Sequence, residues 1–367
     1  MNKPLLFLGE AFGTNEARLG VPFVGSSGVE LLKMSNEAGL LTLTPEDLAC
    51  ISRYWQTSKP DYIDAIWRAH PELARTNVLN LHPPGNKLDA FCGPKETGIA
   101  GYPTIIKSKY LRAEFIPQLE RLADEILSLN PNLIVALGNT PVWALCGISG
   151  ITKIRGTTRL STHIAADYKV LPTYHPAAVI RQWELRPTTI ADLIKANRER
   201  EYPEIRRPER EIWIEPTIED IQEFITLHIT KSTLLSVDIE TSGNRVTCIG
   251  LAPSPRLALV VPFDDSRKPK GSYWPDAKTE AQVWVLIKGV LEDRRIRKVF
   301  QNGLYDIAFL WRSVGVRVLG ASEDTMLLHH SLQPESLKSL GFLGSIYSNE
   351  SAWKTERKRT KTIKRDA

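Results

Sequence analysis

Two glutamates, Glu10 and Glu16, lie in a glycine-rich stretch near the start of the 367-residue chain, GEAFGTNEARLGVPFVGSSG from Gly9 onward. The stretch follows an apolar run that predicts a strand, and the serine pair at its end can begin a helix. A strand, a glycine loop and a helix start are the usual layout of a phosphate-binding loop. The stretch lacks the lysine of a P-loop and the G-x-G-x-x-G spacing, so it predicts a different ligand.

Aromatic, amide and imidazole side chains in the same half could together hold a planar, polar ring. Phe23 follows a proline in the glycine-rich stretch and offers a flat face for stacking. Asn77 and Asn86 each carry an amide, which donates and accepts hydrogen bonds at once. His175 stands in the sequence TYHPAAVIR. Taken singly, each residue also fits an ordinary core or turn position, so only their combination indicates a site.

Carboxylates dominate the second half. Asp238 and Glu240 are two residues apart in a predicted strand, so both side chains face one side of it. Asn302 and Asp306 are four apart near the start of a predicted helix. Clustered carboxylates can hold two divalent ions that clamp the attacking and leaving oxygens of a phosphodiester. Oxygen ligands of this kind suit Mg²⁺, so Asp238, Glu240 and Asp306 are the predicted metal ligands.

Four stretches of the first half, at 9–25, 76–87, 133–147 and 173–181, occur in one order. Together they resemble the uracil-DNA glycosylase superfamily, and its family 4 type most, over about residues 4–200. The resemblance implies a three-layer α/β fold and an enzyme that cleaves the bond between uracil and deoxyribose. Such an enzyme must extrude the base from the DNA stack and bind its Watson–Crick edge.

The resemblance also implies roles for individual residues. Glu16 matches the carboxylate that handles water and the sugar cation, and His175 matches the histidine that donates to the departing uracil. Asn77 matches the asparagine that pairs with uracil. Phe23 and Asn86 are expected to contact the base and its DNA, and Glu10 has a supporting role in that binding. The reaction implies no metal or other cofactor.

Two positions depart from the family pattern. Phe12 replaces the proline of the usual G-E-A-P-G loop, and Leu81 stands where the third of the four family 4 cysteines would be. The chain starts too late to carry the first pair of those cysteines. Because thiolates hold iron–sulfur clusters and leucine cannot, we expect no iron–sulfur cluster.

The second half, from about residue 210 to the end, resembles the proofreading 3′–5′ exonuclease domain of family A DNA polymerases, particularly phage-like ones. The resemblance implies a ribonuclease H-like domain with a mixed sheet. It also implies Mg²⁺, or Mn²⁺, at the three carboxylates named above. Asp324 resembles a family position near a helix start, and we expect it to be structural rather than a ligand.

One family motif, Y-x-x-x-D, is missing from this half. The last aspartate, Asp366, has Thr362 rather than a tyrosine four residues before it. We therefore expect an incomplete nuclease whose partner is a polymerase or another downstream polypeptide. The missing closing helix would leave apolar surface near Leu340, Phe342 and Ile346 uncovered.

The elements that position these residues alternate between strand-like and helix-like patterns in the first half, which favours a mostly parallel sheet covered by helices. A charged stretch with two prolines separates the halves. The predicted organisation is a glycosylase-like domain over 1–202, a linker over 203–210, an incomplete exonuclease-like domain over 211–352 and a basic tail over 353–367.

The basic tail accounts for the net charge. The whole chain has 47 basic and 42 acidic residues, a net charge of +5, and the tail alone has 7 basic and 2 acidic residues, 7 − 2 = +5. The tail could contact DNA phosphates or could simply be a solvated end. No apolar run is long enough to span a membrane. The four cysteines are far apart, which fits a reducing setting, so we expect the cytoplasm of a bacterial or phage-infected cell.

The sequence thus favours a DNA-repair hydrolase that excises uracil and carries a partial, metal-dependent 3′–5′ exonuclease domain. Two alternatives stay open. In one, the chain is a non-catalytic adaptor that binds DNA or a polymerase. In the other, the exonuclease half is active only with a second polypeptide.

Overall fold

The computed structural model describes residues 3–53 and 59–350, which form two compact units. The second unit is Arg207–Leu340, and the first contains the chain up to Arg206 and again from Gly341. The described segment 341–350 therefore belongs to the first unit, whereas the sequence analysis includes it in an exonuclease-like domain ending at 352. The predicted basic tail, 353–367, lies outside the described residues.

The first unit is built around a five-stranded sheet in the order β2-β1-β5-β7-β6, in which all but β6 run parallel. Its strands are β1 (Leu5–Ala11), β2 (Leu73–Leu79), β3 (Cys92–Gly93), β4 (Tyr110–Leu111), β5 (Leu133–Leu137), β6 (Arg159–Leu160) and β7 (Lys169–Thr173), with β3 and β4 forming a separate small hairpin.

Helices surround that sheet. They are α1 (Thr14–Leu19), α2 (Ser26–Glu37), α3 (Pro45–Ser52), α4 (Pro60–Arg68), α5 (Ile116–Leu129), α6 (Asn139–Cys146), α7 (Ile151–Ile154), α8 (Pro176–Arg181) and α9 (Arg186–Glu199). Single 3-10 turns lie at Pro84–Asn86, Leu88–Phe91, Lys95–Thr97, Ala113–Phe115 and Trp183–Leu185.

Both faces of this sheet are covered, which confirms the predicted three-layer fold. Successive residues of β1 point to opposite faces, as the period of a strand requires. Leu5 and Phe7 pack into one apolar core with α2 and α9, whereas Leu6 and Leu8 pack into another with α5 and α6. A parallel strand buried on both faces reads as a continuous apolar run, which is the pattern at the start of this chain.

The sequence TNVLNL predicts a strand over 76–81, and TIADLIKANRERE predicts a helix over 189–201. In the structure the strand runs over Leu73–Leu79 and the helix over Arg186–Glu199. The strand ends at Leu79 because the next backbone N–H, of Asn80, donates to the side chain of Gln118 at 3.0 Å instead of to another strand.

The second unit contains a six-stranded mixed sheet in the order β13-β12-β9-β10-β11-β8. Its elements are β8 (Glu211–Trp213), α10 (Ile218–Phe224, continued by a π-helical turn at Ile225–Ile229), β9 (Leu234–Ser242), β10 (Arg245–Ser254), β11 (Leu257–Pro262), α11 (Ala277–Leu291), β12 (Arg297–Phe300), α12 (Gly303–Val314), β13 (Ala321–Asp324) and α13 (Thr325–Leu332).

The pairing in this sheet is that of the predicted ribonuclease H-like fold. Strands β9, β10 and β11 are antiparallel neighbours, while β12 runs parallel to β9 on its other side and β13 parallel to β12. The sequence PTIEDIQEFI predicts a helix with Thr217 as N-cap and Asp220 three residues on, and this start of α10 is confirmed. Thr217 and Asp220 form a capping box, in which each side chain accepts the other residue's backbone N–H.

The last described helix, α14 (Leu340–Tyr347), begins where the second unit ends. Its side chains from Phe342 onward pack within the first unit. Leu343 is buried, and Phe342 and Ile346 are half-buried. The expectation of uncovered apolar surface is met at Leu340, which is 39% exposed, but is wrong at Phe342 and Ile346, which are partly covered. Across the described ranges, no helix combines the length and apolar character that a membrane crossing demands.

Candidate active site

The candidate site lies at the carboxyl edge of the first unit's sheet, where ligands bind in open α/β sheets. Strands β1, β2, β5 and β7 all end there, and the loops after them enclose a cleft of about 570 Å³. All six residues predicted for glycosylase chemistry line this one cleft: Glu10, Glu16, Phe23, Asn77, Asn86 and His175. They come from three separate stretches of sequence that only the fold brings together.

Glu16 is fixed by a bond to the backbone across the glycine loop. It lies in the first turn of α1 and its side chain is 8% exposed. Its Oε1 accepts the backbone N–H of Gly25 at 2.7 Å. A carboxylate held in this way presents its other oxygen in a fixed direction, as a group that must stabilise a developing cation requires.

Phe23 is held in a backbone conformation that phenylalanine seldom adopts. Its φ is 56°, and the ring is 4% exposed. The backbone around it is anchored by side chains of the core, since Trp67 Nε1 donates to the Phe23 carbonyl at 3.0 Å and Arg75 donates to the Pro22 carbonyl at 2.9 Å. Strain of this kind persists only where the surroundings impose it, and it often marks a ligand contact.

Asn77 approaches the ring of Phe23 because Gly9 stands between them. Asn77 is 3% exposed and pairs with Gly9 in the β1–β2 register. A Cβ atom at Gly9 would lie 2.2 Å from Asn77 Oδ1 and 2.6 Å from Phe23 Cζ. The glycine therefore permits an amide and an aromatic face to share one wall of the cleft.

Asn86 occupies a different place, on the exposed rim. It is the last residue of a 3-10 turn and has a φ of 56°, a left-handed conformation that asparagine tolerates better than most residues. Its side chain is exposed and lines the cleft from the loop after β2. The rim position suits a contact to the DNA strand or to the edge of an entering base.

His175 is a neutral hydrogen-bond donor in this geometry. It is the N-cap of α8, and its Nδ1 accepts the backbone N–H of Ala177 at 3.1 Å. The ring proton therefore resides on Nε2. Burial, reinforced by the positive charge of Arg181, lowers the pKa of His175 to about 4. The imidazole is thus uncharged near neutral pH.

Three residues at the cleft were not predicted as site residues: Asn139 and Arg181 line it, and Thr140 bonds to Glu10 in its wall. Thr140 donates to Glu10 Oε2 at 2.5 Å, which orients that carboxyl. Burial raises the pKa of Glu10, against the opposing effects of Thr140 and of the positive charge of Arg181. Asn139 Oδ1 accepts two backbone N–H groups, from residues 150 and 151, at 2.9 Å each. The signal was available, because Asn139 and Thr140 follow the end of β5 after a single glycine, Gly138.

The predicted metal ligands of the second unit lie around β9 and α12. Asp238 and Glu240 are exposed on one face of β9, while Asp306 is buried in the first turn of α12. Asp306 Oδ1 accepts the Ile239 backbone N–H at 3.2 Å. Burial, with the negative charge of Asp238 as a further cause, raises the pKa of Asp306 to about 6.

These carboxylates do not make a three-ligand set. Within residues 3–53 and 59–350, no group of three or more His, Cys, Asp or Glu side chains is arranged to hold a metal ion. The assignment of Asp238, Glu240 and Asp306 to Mg²⁺ therefore stays a prediction.

Asp324 has the structural part that the sequence predicts for it. It caps α13 by accepting the backbone N–H of Met326 at 2.8 Å. It also accepts N–H groups from Asn302 and Gly303 at the start of α12, at 3.2 and 2.7 Å. One carboxylate thus accepts hydrogen bonds from the starts of two helices. Burial acts to raise the pKa of Asp324, but these hydrogen bonds lower it below its ordinary value.

Comparison with known families agrees with the geometry of the first site. The family model of the uracil DNA glycosylase superfamily matches residues 1–199, more than half of the chain. This chain belongs to that superfamily. It is 29% identical over 196 residues to a type-4 uracil-DNA glycosylase of Sulfurisphaera tokodaii, covering 52% of this chain and 67% of the relative. It is 28% identical over 198 residues to a type-4 uracil-DNA glycosylase of Thermotoga maritima, covering 52% and 75%.

Solved structures similar to this chain include exonucleases. The EXD2 exonuclease domain soaked in Mg and dGMP has a TM-score of 0.25 and 16% identity, covering 37% of this chain and 68% of that one. Escherichia coli RNase D has a TM-score of 0.29 and 17% identity, covering 39% and 34%. Because these TM-scores are low, the fold class of the second unit follows from its own strand order.

Proposed function

We propose that this protein removes uracil from DNA by hydrolysing the N-glycosidic bond. The observation that carries the proposal is the convergence of Glu10, Glu16, Phe23, Asn77, Asn86 and His175 on one cleft. An aromatic face and a buried amide on one wall suit a flipped base that is stacked and recognised by its Watson–Crick edge. Membership of the superfamily and the type-4 relatives support the same substrate.

The charges of the site match those of the reaction. Cleavage of the bond builds positive charge on the sugar and negative charge on the departing uracil. Glu16, oriented by the Gly25 N–H, is placed to stabilise the sugar cation or to take a proton from water. His175, neutral with its proton on Nε2, donates a hydrogen bond to the oxygen of the departing base. A neutral imidazole can stabilise that anion without first having to bind a proton.

The test is a uracil-containing oligonucleotide incubated with the full chain in an excess of chelator, followed by alkaline strand scission. We expect scission at the uracil position, because none of the assigned groups needs a metal. A thymine oligonucleotide of the same sequence is the control. No abasic product at a large excess of protein would favour the adaptor alternative, in which the cleft binds DNA without turnover.

We also propose that the protein carries no iron–sulfur cluster. Leu81 replaces one family cysteine, and burial raises the pKa of Cys92 and of Cys146 to about 11, which disfavours the thiolate that binds iron. The purified chain should be colourless, and elemental analysis should find no stoichiometric iron. Near four iron atoms per chain would overturn the assignment.

For the second unit we propose a nuclease that needs another polypeptide. The observation that favours it is the pair of carboxylates Asp238 and Asp306, placed on the strand and helix that a ribonuclease H-like site would use. A polymerase or another polypeptide would add ligands to this pair, and Mg²⁺ or Mn²⁺ would bind the completed set. Both activities would then act on DNA in the cytoplasm of a bacterial or phage-infected cell.

A further inference from the structure

The chain leaves the first unit at Arg206, forms the second unit and returns to the first at Gly341. The returning residues 341–350, called here the return segment, are bonded to the first unit by polar groups. Arg155 Nη1 donates to Ser345 Oγ at 2.9 Å, and Lys195 Nζ donates to the carbonyls of Ser345 and Ser348 (2.7 Å to the latter). Asn349 Nδ2 donates to Glu199 Oε1 at 2.6 Å.

The partners of the return segment form a buried ion pair that leads to the candidate site. Arg155 and Asp192 are 2% and 1% exposed, and Arg155 Nε donates to Asp192 Oδ2 at 2.8 Å. That same oxygen accepts the hydroxyl of Thr173 at 2.6 Å. Thr173 is the last residue of β7, two positions before His175. A chain of bonds therefore runs from Ser345 to the strand end that carries the histidine.

A second connection joins the return segment to the same strand. Lys195 Nζ donates to the Gly156 carbonyl at 2.6 Å, and the Gly156 N–H donates to Pro172 of β7 at 2.8 Å. Gly156 has a φ of 72°, and a Cβ atom there would lie 2.7 Å from Asp192 Oδ1 and 3.0 Å from the Ser345 carbonyl. A glycine is needed at this crossing point for the return segment to reach the ion pair.

A buried ion pair stabilises a structure only when its remaining polar groups are satisfied. Arg155 has one guanidinium nitrogen on Ser345 and two on Asp192, so losing Ser345 leaves a buried donor without that partner. The response of lowest energy is a rotation of the Arg155 or Asp192 side chain, which would weaken the hydrogen bond from Thr173 to Asp192. Such a rotation would displace the end of β7.

We propose that the return segment positions the glycosylase site, with Ser345, Arg155 and Asp192 acting through Thr173 on the strand end that bears His175. The proposal rests on the proposed glycosylase function. It gives the return segment, which follows the nuclease-like unit in the sequence, a role in the site of the first unit. None of the three is a catalytic residue, because none lines the cleft.

The experiment uses the full chain and a double-mutant cycle of Ser345→Ala and Thr173→Val. Single-turnover uracil release is measured at saturating DNA, together with the dissociation constant for DNA and the thermal midpoint. We expect each variant to lower the saturated rate about tenfold, the lower end of the effect of outer partners on a site. The dissociation constant should change little. The double variant should be no slower than the slower single variant, because both break one connection.

Ser331→Ala is the matched control. Ser331 also lies on a helix, and its hydroxyl donates only to the Leu327 carbonyl one turn earlier, at 3.1 Å. This variant should release uracil at the wild-type rate. Additive losses in the double variant, or a lowered thermal midpoint with an unchanged saturated rate, would overturn the positioning proposal.

A second measurement separates this proposal from the proposed function. The imidazole signals of His175, assigned by their loss in His175→Ala, are followed by NMR in the wild type and in Ser345→Ala. We expect the variant to shift them, and Ser331→Ala to leave them unchanged. If the wild type releases no uracil but the signals shift, the glycosylase proposal fails and the connection stands. If they do not shift, the connection itself is refuted.

Discussion

The two candidate sites of this chain differ in how their functional groups are held. In the first unit, Glu16 and His175 each accept a backbone N–H that fixes the side chain in the cleft. In the second unit, Asp306 accepts one backbone N–H, whereas Asp238 and Glu240 are exposed on the strand beside it. The first site is therefore fixed by bonds to the backbone, whereas the second combines one buried carboxylate with two exposed ones.

Electrostatics explain the difference. Neutral amide, aromatic and imidazole groups can be brought together without mutual repulsion, and the first site contains mostly such groups. Carboxylates repel one another, and the pKa of Asp306 is raised to about 6 chiefly by burial, with the negative charge of Asp238 as a lesser cause. A carboxylate site of this kind is stable as an anion only when a cation or new donors join it.

The largest expected effect tests the independence of the two sites. Glu16→Ala and His175→Ala should each lower the rate of uracil release by about 10²–10⁴, the usual range for a general acid–base or electrostatic group. Asp238→Ala, which removes a carboxylate of the other unit, should leave that rate unchanged. The measurement is single-turnover uracil release by the full chain. Equal rates in wild type, Glu16→Ala and His175→Ala would remove both role assignments.

A smaller effect is expected from completing the second site. The chain alone should degrade a DNA 3′ end poorly in Mg²⁺, and adding the product of the downstream reading frame should raise the rate by about 10–100-fold, the range seen when partners of a metal site are lost or restored. Asp238→Ala should remove the gain. Full activity from the isolated chain, abolished by Asp238→Ala, would show that the chain completes its own site.

Much of the first site could be predicted because its residues lie in short motifs at strand ends. Parallel strands place their carboxyl ends at one edge, so Gly9, Asn77 and His175 had to meet once the strands were recognised. The capping box of Thr217 was predictable for a related reason, since its two partners are three residues apart and need no knowledge of the fold.

Other features depend on contacts that no local pattern specifies. The apolar sequence around Phe342 indicates that something covers it, but not that the first unit does so. Arg181, at the end of α8, affects the pKa values of Glu10 and His175 through its positive charge. Its closeness to these two residues is evident only in the folded structure. The sequence of strand β10 does not predict a strand by itself, because its polar and apolar residues alternate irregularly around a β-bulge.

A further prediction concerns the glycine that lets two site residues share a wall. Gly9→Ala would place a Cβ atom 2.2 Å from Asn77 Oδ1, so the amide or the strand must shift. We expect uracil release to fall at least tenfold and stability to fall by about 1–3 kcal/mol, as for other overpacked sites. Gly289→Ala is the matched control, because a Cβ atom there meets no neighbour within 4 Å and alanine favours the helix. Wild-type activity in Gly9→Ala would show that the wall is not as rigid as we infer.

The smallest effect is the titration of His175 itself. Its folded pKa of about 4 lies below the ordinary value of 6.5. Between these two pH values the unfolded chain binds a proton that the folded chain does not. The contribution of His175 to the free energy of unfolding therefore falls as the pH drops from about 6.5 towards 4, and it is constant above that window.

An NMR titration of the imidazole should give a midpoint near 4 in the wild type. Arg181→Met should raise it, because it removes a positive charge that opposes protonation. Arg312→Met, a matched change in the second unit, should not. A wild-type midpoint near 6.5 would mean that the ring is charged through much of the acid range and does not have the lowered pKa of the neutral donor in the proposed mechanism.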